Sequence, residues 1–325
     1  MNRIVKIATP MFAAALIAGT LAGCGGQAAS STASVSAASA SAAASATAPA
    51  SPTAETKATA EETVAQLKAA MENAKNFKSV TVTHKVGMEV DTAQLQELIN
   101  EQSASASAVE SAESAAASDA AAAEDMSLDT TTVYKFDQSG ETMKASSSTD
   151  FFGSTISAFL DGDKAVVDFD GDAYAGTIDE IGVHEMTSID ELLNTKVGDF
   201  DTIMSCVSAA DIGKQGDNTV YALVVDTEKY AEADEVQKEL SEAGLKKDVF
   251  AVSYEFGADG KLVSVNVFES MSFQTTEASL NFTDYDATVV DPVPETDKTY
   301  ADMSADIQAA VDELSSEEQG VSQSE

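Results

Sequence analysis

Two stretches of this sequence cannot contribute a packed core, and they decide how much chain is left to fold. Residues 28–51 are Ala or Ser at 20 of 24 positions, and residues 103–124 at 17 of 22. Such tracts bury too little apolar area to offset the entropy of ordering, so both are predicted to be disordered or weakly helical. The foldable remainder is 60–98 and 125–297, of 39 and 173 residues. That suits one well-packed domain.

The 325-residue chain has a formal charge of −37, and it is two units more negative once a leader carrying Arg3 and Lys6 is removed. Nucleic acid is excluded as a partner, because binding it requires Lys and Arg to neutralise phosphates. Anionic lipid would repel the domain as well, and the acidic surface predicts a well-solvated monomer. The two cysteines, Cys24 and Cys206, make no disulfide framework. Cys206 stands in the apolar run Ile203-Met204-Ser205-Cys206-Val207 and reads as a buried small hydrophobe.

Along the chain, Thr59 and Glu62 have capping-box spacing ahead of Val64, Leu67, Met71 and Ala74, which recur at helical intervals. A strand follows with Val80, Val82, His84, Val86, Met88 and Val90 on one face and Thr81, Thr83, Lys85 and Glu89 on the other. His84 reads as a core or cavity-wall histidine. A short helical patch at Gln94–Ile99 leads into the second Ala/Ser tract, taken as a loop between two strands.

From 129 to 178 short strands meander, turning at Ser139-Gly140, Asp161-Gly162 and Asp170-Gly171, where hairpins call for positive φ. Two short helices come next. Ser188 and Glu191 have capping-box spacing before Leu192 and Leu193, and Phe200, Ile203, Met204 and Val207 share a helical face. Thr219–Val225, apolar on both sides, predicts a central, covered strand. Thr227 is expected to cap a third helix running to about Ala243. Three long strands follow, 248–256, 261–273 and 277–285, then an extended edge segment at Val289–Pro294. The tail 301–325 has seven acids and no base, with a helical stripe of Met303, Ile307, Val311 and Leu314.

Chemistry-bearing motifs are few. Asp168-Phe169-Asp170-Gly171-Asp172 has a calcium-like look, but Ala173 fills the position that needs glycine and the flanks read as strands. An acidic hairpin turn accounts for it, and no metal or cofactor is expected. There is no Gly-x-Ser-x-Gly, phosphate loop or His-Glu-x-x-His, and with two His and no Trp an enzyme is not expected.

Two resemblances add to this reading. Arg3 and Lys6, a short apolar run through Leu16 and Ile17, and then Leu21-Ala22-Gly23-Cys24 resemble the leader and lipobox of bacterial lipoproteins. That resemblance implies cleavage before Cys24, a lipid on its sulfur, and a chain held by that anchor on the extracytoplasmic face of a cell membrane. A durable anchor needs more than one acyl chain. Residues 1–23 are then the signal, 24–59 a leash, 60–297 the folded domain with its insertion at 103–124, and 298–325 a tail.

The second resemblance is one of layout. Helix then strand at 60–90, the Asp-Gly meander and the Tyr221–Val225 strand before its helix resemble the LolA/LppX-like lipoproteins. So does Phe256-x-x-Asp259-Gly260-Lys261-Leu262, followed by two strands and Val289-x-x-Pro292-x-Pro294. That family implies an α+β fold: one large curled antiparallel sheet, an unclosed half-barrel, with helices lidding its concave face. The implied ligand is a lipid or the acyl chains of a lipoprotein. Candidate lining residues are Val82, His84, Val86 and Met88 from the first strand, and Phe200, Ile203 and Met204 from the lid. The competing expectation is an envelope interaction or sensor module whose core is filled by its own side chains.

Overall fold

The computed structural model describes residues 58–92, 94, 126–151, 153–242 and 245–306. All lie in the second of two units into which the chain divides, residues 51–325. Cys24, both Ala/Ser tracts, most of the Gln94–Ile99 patch and the tail beyond 306 lie outside the described residues.

Helix α1 (Ala60–Ala74) starts as its sequence prescribes. The Thr59 hydroxyl accepts from the Glu62 amide at 3.2 Å, and the Glu62 carboxylate accepts from the Thr59 amide at 2.9 Å. Leu67, Met71 and Ala74 turn one buried face toward the sheet. Strand β1 (Ser79–Val90) opens a meander of β2 (Met126–Asp137), β3 (Lys144–Phe151), β4 (Ser154–Asp161), β5 (Lys164–Phe169) and β6 (Asp172–Thr177). Gly162 (φ 62°) and Gly171 (φ 101°) make the expected left-handed turns, whereas Gly140 does not, and Gly153 (φ 88°) supplies a turn the sequence reading passed over.

Helices interrupt at α2 (Ile178–Ile181), a 3₁₀ turn (His184–Met186), α3 (Ile189–Lys196) and α4 (Phe200–Ser205). The chain returns to strands at β7 (Val207–Gln215) and β8 (Asn218–Val225). Helices α5 (Thr227–Ala233) and α6 (Glu235–Glu242) precede β9 (Lys247–Phe256), β10 (Leu262–Met271) and β11 (Gln274–Thr283).

The sheet has eleven strands in the order β6-β5-β4-β3-β2-β1-β11-β10-β9-β8-β7. Every named pairing is antiparallel. The long-range β1–β11 pair, with Val82 opposite Phe282 and His84 opposite Leu280, joins two simple meanders. Strands β6 and β7 are the edges and do not pair, so the sheet is an unclosed half-barrel. The inner face carries Val80, Val82, Tyr134, Phe136, Leu160, Tyr254, Val265 and Leu280, all buried, and the helices meet them with Leu67, Met186, Leu192 and Ile203. Lys68–Asp201 (2.7 Å) and Lys75–Asp190 (3.2 Å) tie α1 to α4 and α3.

Several expectations are corrected. Val207 begins an edge strand instead of ending a helical face, because α4 stops at Ser205. Thr219–Val225 is next to an edge, and Val224 is 47% exposed on its outer side. The third helix is capped by Asp226, whose carboxylate accepts from the Glu228 and Lys229 amides, and it breaks at Asp234, which has an extended backbone. Ser188 caps α3 by accepting from the Glu191 amide.

Val289–Pro294 is not a strand. It belongs to a segment that crosses the outer face from β1 to β6. The Thr288 and Thr81 hydroxyls bond at 2.9 Å, and Lys135 on β2 and Ser146 on β3 both donate to Asp291. The Ala175 amide of β6 then donates to the Lys298 carbonyl at 2.9 Å. Residues 300–306 are helical and bring Asp306 to the Tyr174 hydroxyl at 2.9 Å. One sheet edge is thereby covered, which removes a template for unwanted strand pairing.

Candidate functional site

The inner face changes character along β1. Val80 and Val82 have no exposed surface and His84 is 9% exposed, while Val86, Met88 and Val90 are half-buried. Period-2 alternation keeps all six on one face of the sheet. Neighbouring strands follow the same gradient. Phe136 and Tyr134 on β2 are buried, but Thr132, Thr130 and Leu128 are half-buried. Leu280 on β11 is buried, but Ala278 and Thr276 are not.

The cause is the placement of the helices. Met186 reaches β3, where the Ser147 hydroxyl lies 3.5 Å from its sulfur. Phe200 of α4 meets Tyr254 edge-to-face at 5.8 Å, and Tyr230 of α5 packs on Phe250 at 5.1 Å. The two aromatic contacts cover β9, and Met186 covers part of β3. On β1, β2, β4 and β11 the inner-face residues Val86, Met88, Leu128, Ile156 and Ala278 are half-buried and lie past these contacts along their strands.

The candidate residues therefore separate into two groups. Val82, Ile203 (0% exposed) and Met204 (6%) are taken up in the filled core, with Phe200 packed against it. His84, Val86 and Met88 lie on or at the border of the uncovered surface. Cys206 is a buried free thiol, as read. Asp168–Asp172 is a hairpin turn in which the Asp168 carboxylate accepts from the Gly171 amide at 2.8 Å.

Hollows lined by described residues include the following two. An open groove of about 500 Å³ lies at the ends of β1, β2, β10 and β11 and is lined by Glu89, Val90, Ser127, Met271, Phe273 and Gln274 among others. A water-sized void of about 10 Å³ lies where α1 and α3 meet Phe282 and Tyr285.

Polar groups mark the border of the uncovered surface. His84 stands between Thr132 and Leu280 on its neighbouring strands, and the Thr132 and Thr149 hydroxyls bond at 2.7 Å. Lys196, at the end of α3, lies 5.9 Å from the Tyr134 ring centre and 3.5 Å from Glu185. Burial first, and the Lys196 charge second, hold the His84 pKa down at about 4. The imidazole is therefore neutral at physiological pH. Burial, helped by the Glu185 charge, pushes the Tyr134 phenol well above its usual value. The sequence reading reached His84 but not Lys196, Glu185, Leu128 or Ile156. Leu128-x-Thr130-x-Thr132-x-Tyr134-x-Phe136 is itself a period-2 run that would have found the first of the apolar pair.

The geometry defines an unclosed α+β half-barrel with a partly lidded concave face. No protein-family profile matches the chain, and no curated protein does. Among solved structures the chain is similar to LprF from Mycobacterium bovis, at 10% identity with a TM-score of 0.38, over 73% of this chain and 97% of that one. It is also similar to the lipoprotein LppX of Mycobacterium tuberculosis, at 10% identity with a TM-score of 0.37, over 71% and 97%. These are of the kind the sequence layout resembles; the fold assignment itself rests on the strand order and pairing above. Among the described residues no helix is long and apolar enough to cross a membrane.

Proposed function

We propose that this chain is a lipoprotein anchored through Cys24 on the extracytoplasmic face of a membrane, and that it binds the acyl chain of a lipid on the uncovered part of its inner face. The observation that supports the reading is the burial gradient along β1: an apolar strand face runs on past the helices that cover it, from Val82 to Val86 and Met88. Each methylene an acyl chain buries there contributes about 0.8 kcal/mol before ordering costs. The leash keeps such a protein at the surface where it meets its lipid. It acts as a local carrier or receptor.

Native mass spectrometry of protein purified from membranes tests this. Co-purified lipid is expected; a protein that carries none and takes up no fluorescent fatty acid contradicts it. The competing reading, an interaction module with a filled core, draws on the close filling around Ile203, Leu192 and Tyr254. It predicts no lipid under the same conditions.

A further inference from the structure

The chain does not end its crossing at the sheet edge it covers. Tyr174 of β6 stands opposite Val167 of β5, and Val167 opposite Ala158 of β4, which belongs to the inner-face core. Directly opposed residues share a face, so the Tyr174 ring lies on the inner side. Lys298 follows it there: its ammonium donates to Asp172 at 2.9 Å and lies 4.9 Å from the Tyr174 ring centre. Asp306 then accepts from the Tyr174 hydroxyl at 2.9 Å. The segment that crossed the outer face has thus turned round β6 and comes to the inner side.

Within the helical residues 300–306, Tyr300 and Met303 are half-buried and the other five are exposed. Ile307, Val311 and Leu314 continue the face of Met303 at spacings of four, four and three. Asp312 and Glu313 fall off that stripe, and Glu318 ends it with a charge. On the inner face near Tyr174, Phe169 of β5 is 36% exposed, and Ile156 opposite it on β4 is half-buried. An apolar helical face therefore leaves the described residues beside an apolar strand face that is still exposed. Charge opposes the approach of an acidic segment to a chain of formal charge −37, so apolar contact has to hold it.

We propose that residues 307–314 dock as a helix across the inner face from β6 toward β4, with Ile307, Val311 and Leu314 on Phe169 and Ile156. The reach fits: a helix rises about 12 Å from Asp306 to Leu314, roughly two and a half strand spacings. The docked segment occupies one end of the uncovered face. An acyl chain lying along Val86, Met88 and Leu128 competes with it for the Ile156 end, and this second step rests on the reading of that face as an acyl site.

A nitroxide on Ser315→Cys tests the contact by NMR in full-length, delipidated protein with labelled Ile and Val methyls. Cys24→Ala keeps the label off that position, and Cys206, 3% exposed, is shielded from it. The Ile156 methyl signals are expected to weaken severalfold, while Val224 on the outer side of β8 keeps its intensity. Oleate restores the Ile156 signals. The triple variant Ile307→Ser, Val311→Ser, Leu314→Ser changes no described residue and restores them as well. It binds oleate roughly tenfold more tightly, as follows when the segment is docked about nine-tenths of the time.

Ile156 signals as strong as those of Val224 overturn the docked segment, whether or not oleate binds. Loss of Ile156 signal in a mixture of nitroxide-bearing chains and separate methyl-labelled chains assigns the stripe to a second copy and overturns it too. Equal oleate affinity in the native chain and the triple variant overturns the competition. Loss of Ile156 signal in a chain that takes up no oleate supports the docked segment and overturns the acyl reading instead.

Discussion

Replacing His84 by leucine isolates the cost of burying a titratable ring. The native imidazole is held at a pKa of about 4, against about 6.5 in the unfolded chain. The depressed value fixes the sign: between those values the unfolded chain binds the extra proton, so stability is complete above pH 6.5 and is lost as pH falls toward 4. At pH 4.5 the linkage comes to about 2.5 kcal/mol. Carboxylates held low, such as Asp199 by Thr202 and Asp291 by Lys135, lose their contribution at still lower pH, and do so equally in both proteins. Urea unfolding of the domain at pH 7 and pH 4.5, native against His84→Leu, measures the difference. The variant is expected to keep about 2.5 kcal/mol more of its neutral-pH stability than the native protein. Identical pH profiles would refute a buried, neutral imidazole at this position.

Further outcomes follow from single contacts. Gly198 joins α3 to α4 at φ 116°, and a Cβ there would stand 2.7 Å from the Tyr230 hydroxyl; Gly198→Ala should lower stability by about 2 kcal/mol or more in urea. The Thr63 hydroxyl is the one buried side-chain polar atom without a partner among the described residues. Thr63→Val keeps the shape and should stabilise by about 1 kcal/mol; a loss of stability in the same assay would show that the hydroxyl is bonded. Cys24→Ala should shift the protein from the membrane to the soluble fraction on cell fractionation.

The parts of the fold that local chemistry specifies were legible. The Thr59 capping box, the alternation of 80–90 and the Asp-Gly hairpins each act within a few residues, and each appears where the sequence places it. Strand β7 was not legible. Val207-Ser208-Ala209-Ala210-Asp211-Ile212-Gly213 carries small and polar residues without clean alternation, as an edge strand exposed along much of its length can. The helical stripe Phe200-Ile203-Met204 also runs into Val207 by arithmetic alone, because nothing in the spacing marks the stop after Ser205. The covering segment 286–299 is not legible for a related reason. Its bonds go to Lys135, Ser146 and Ala175, partners more than a hundred residues away. Within the site, β1 announced His84, Val86 and Met88, but Lys196 and Glu185 come beside Tyr134 through tertiary placement of the 3₁₀ turn and α3. No local pattern encodes that.

The most direct test of the account asks where a lipid tail lies. A fatty acid with a diazirine near the end of its tail is bound to the full-length protein and irradiated, and the modified residues are mapped by peptide mass spectrometry. Labelling is expected on β1, β2 and β11 at and beyond Val86, Leu128 and Ala278, with little on the outer-face segment 286–299. Labelling spread over the outer face, or none above that of an unfolded control, would contradict an acyl site on the inner face.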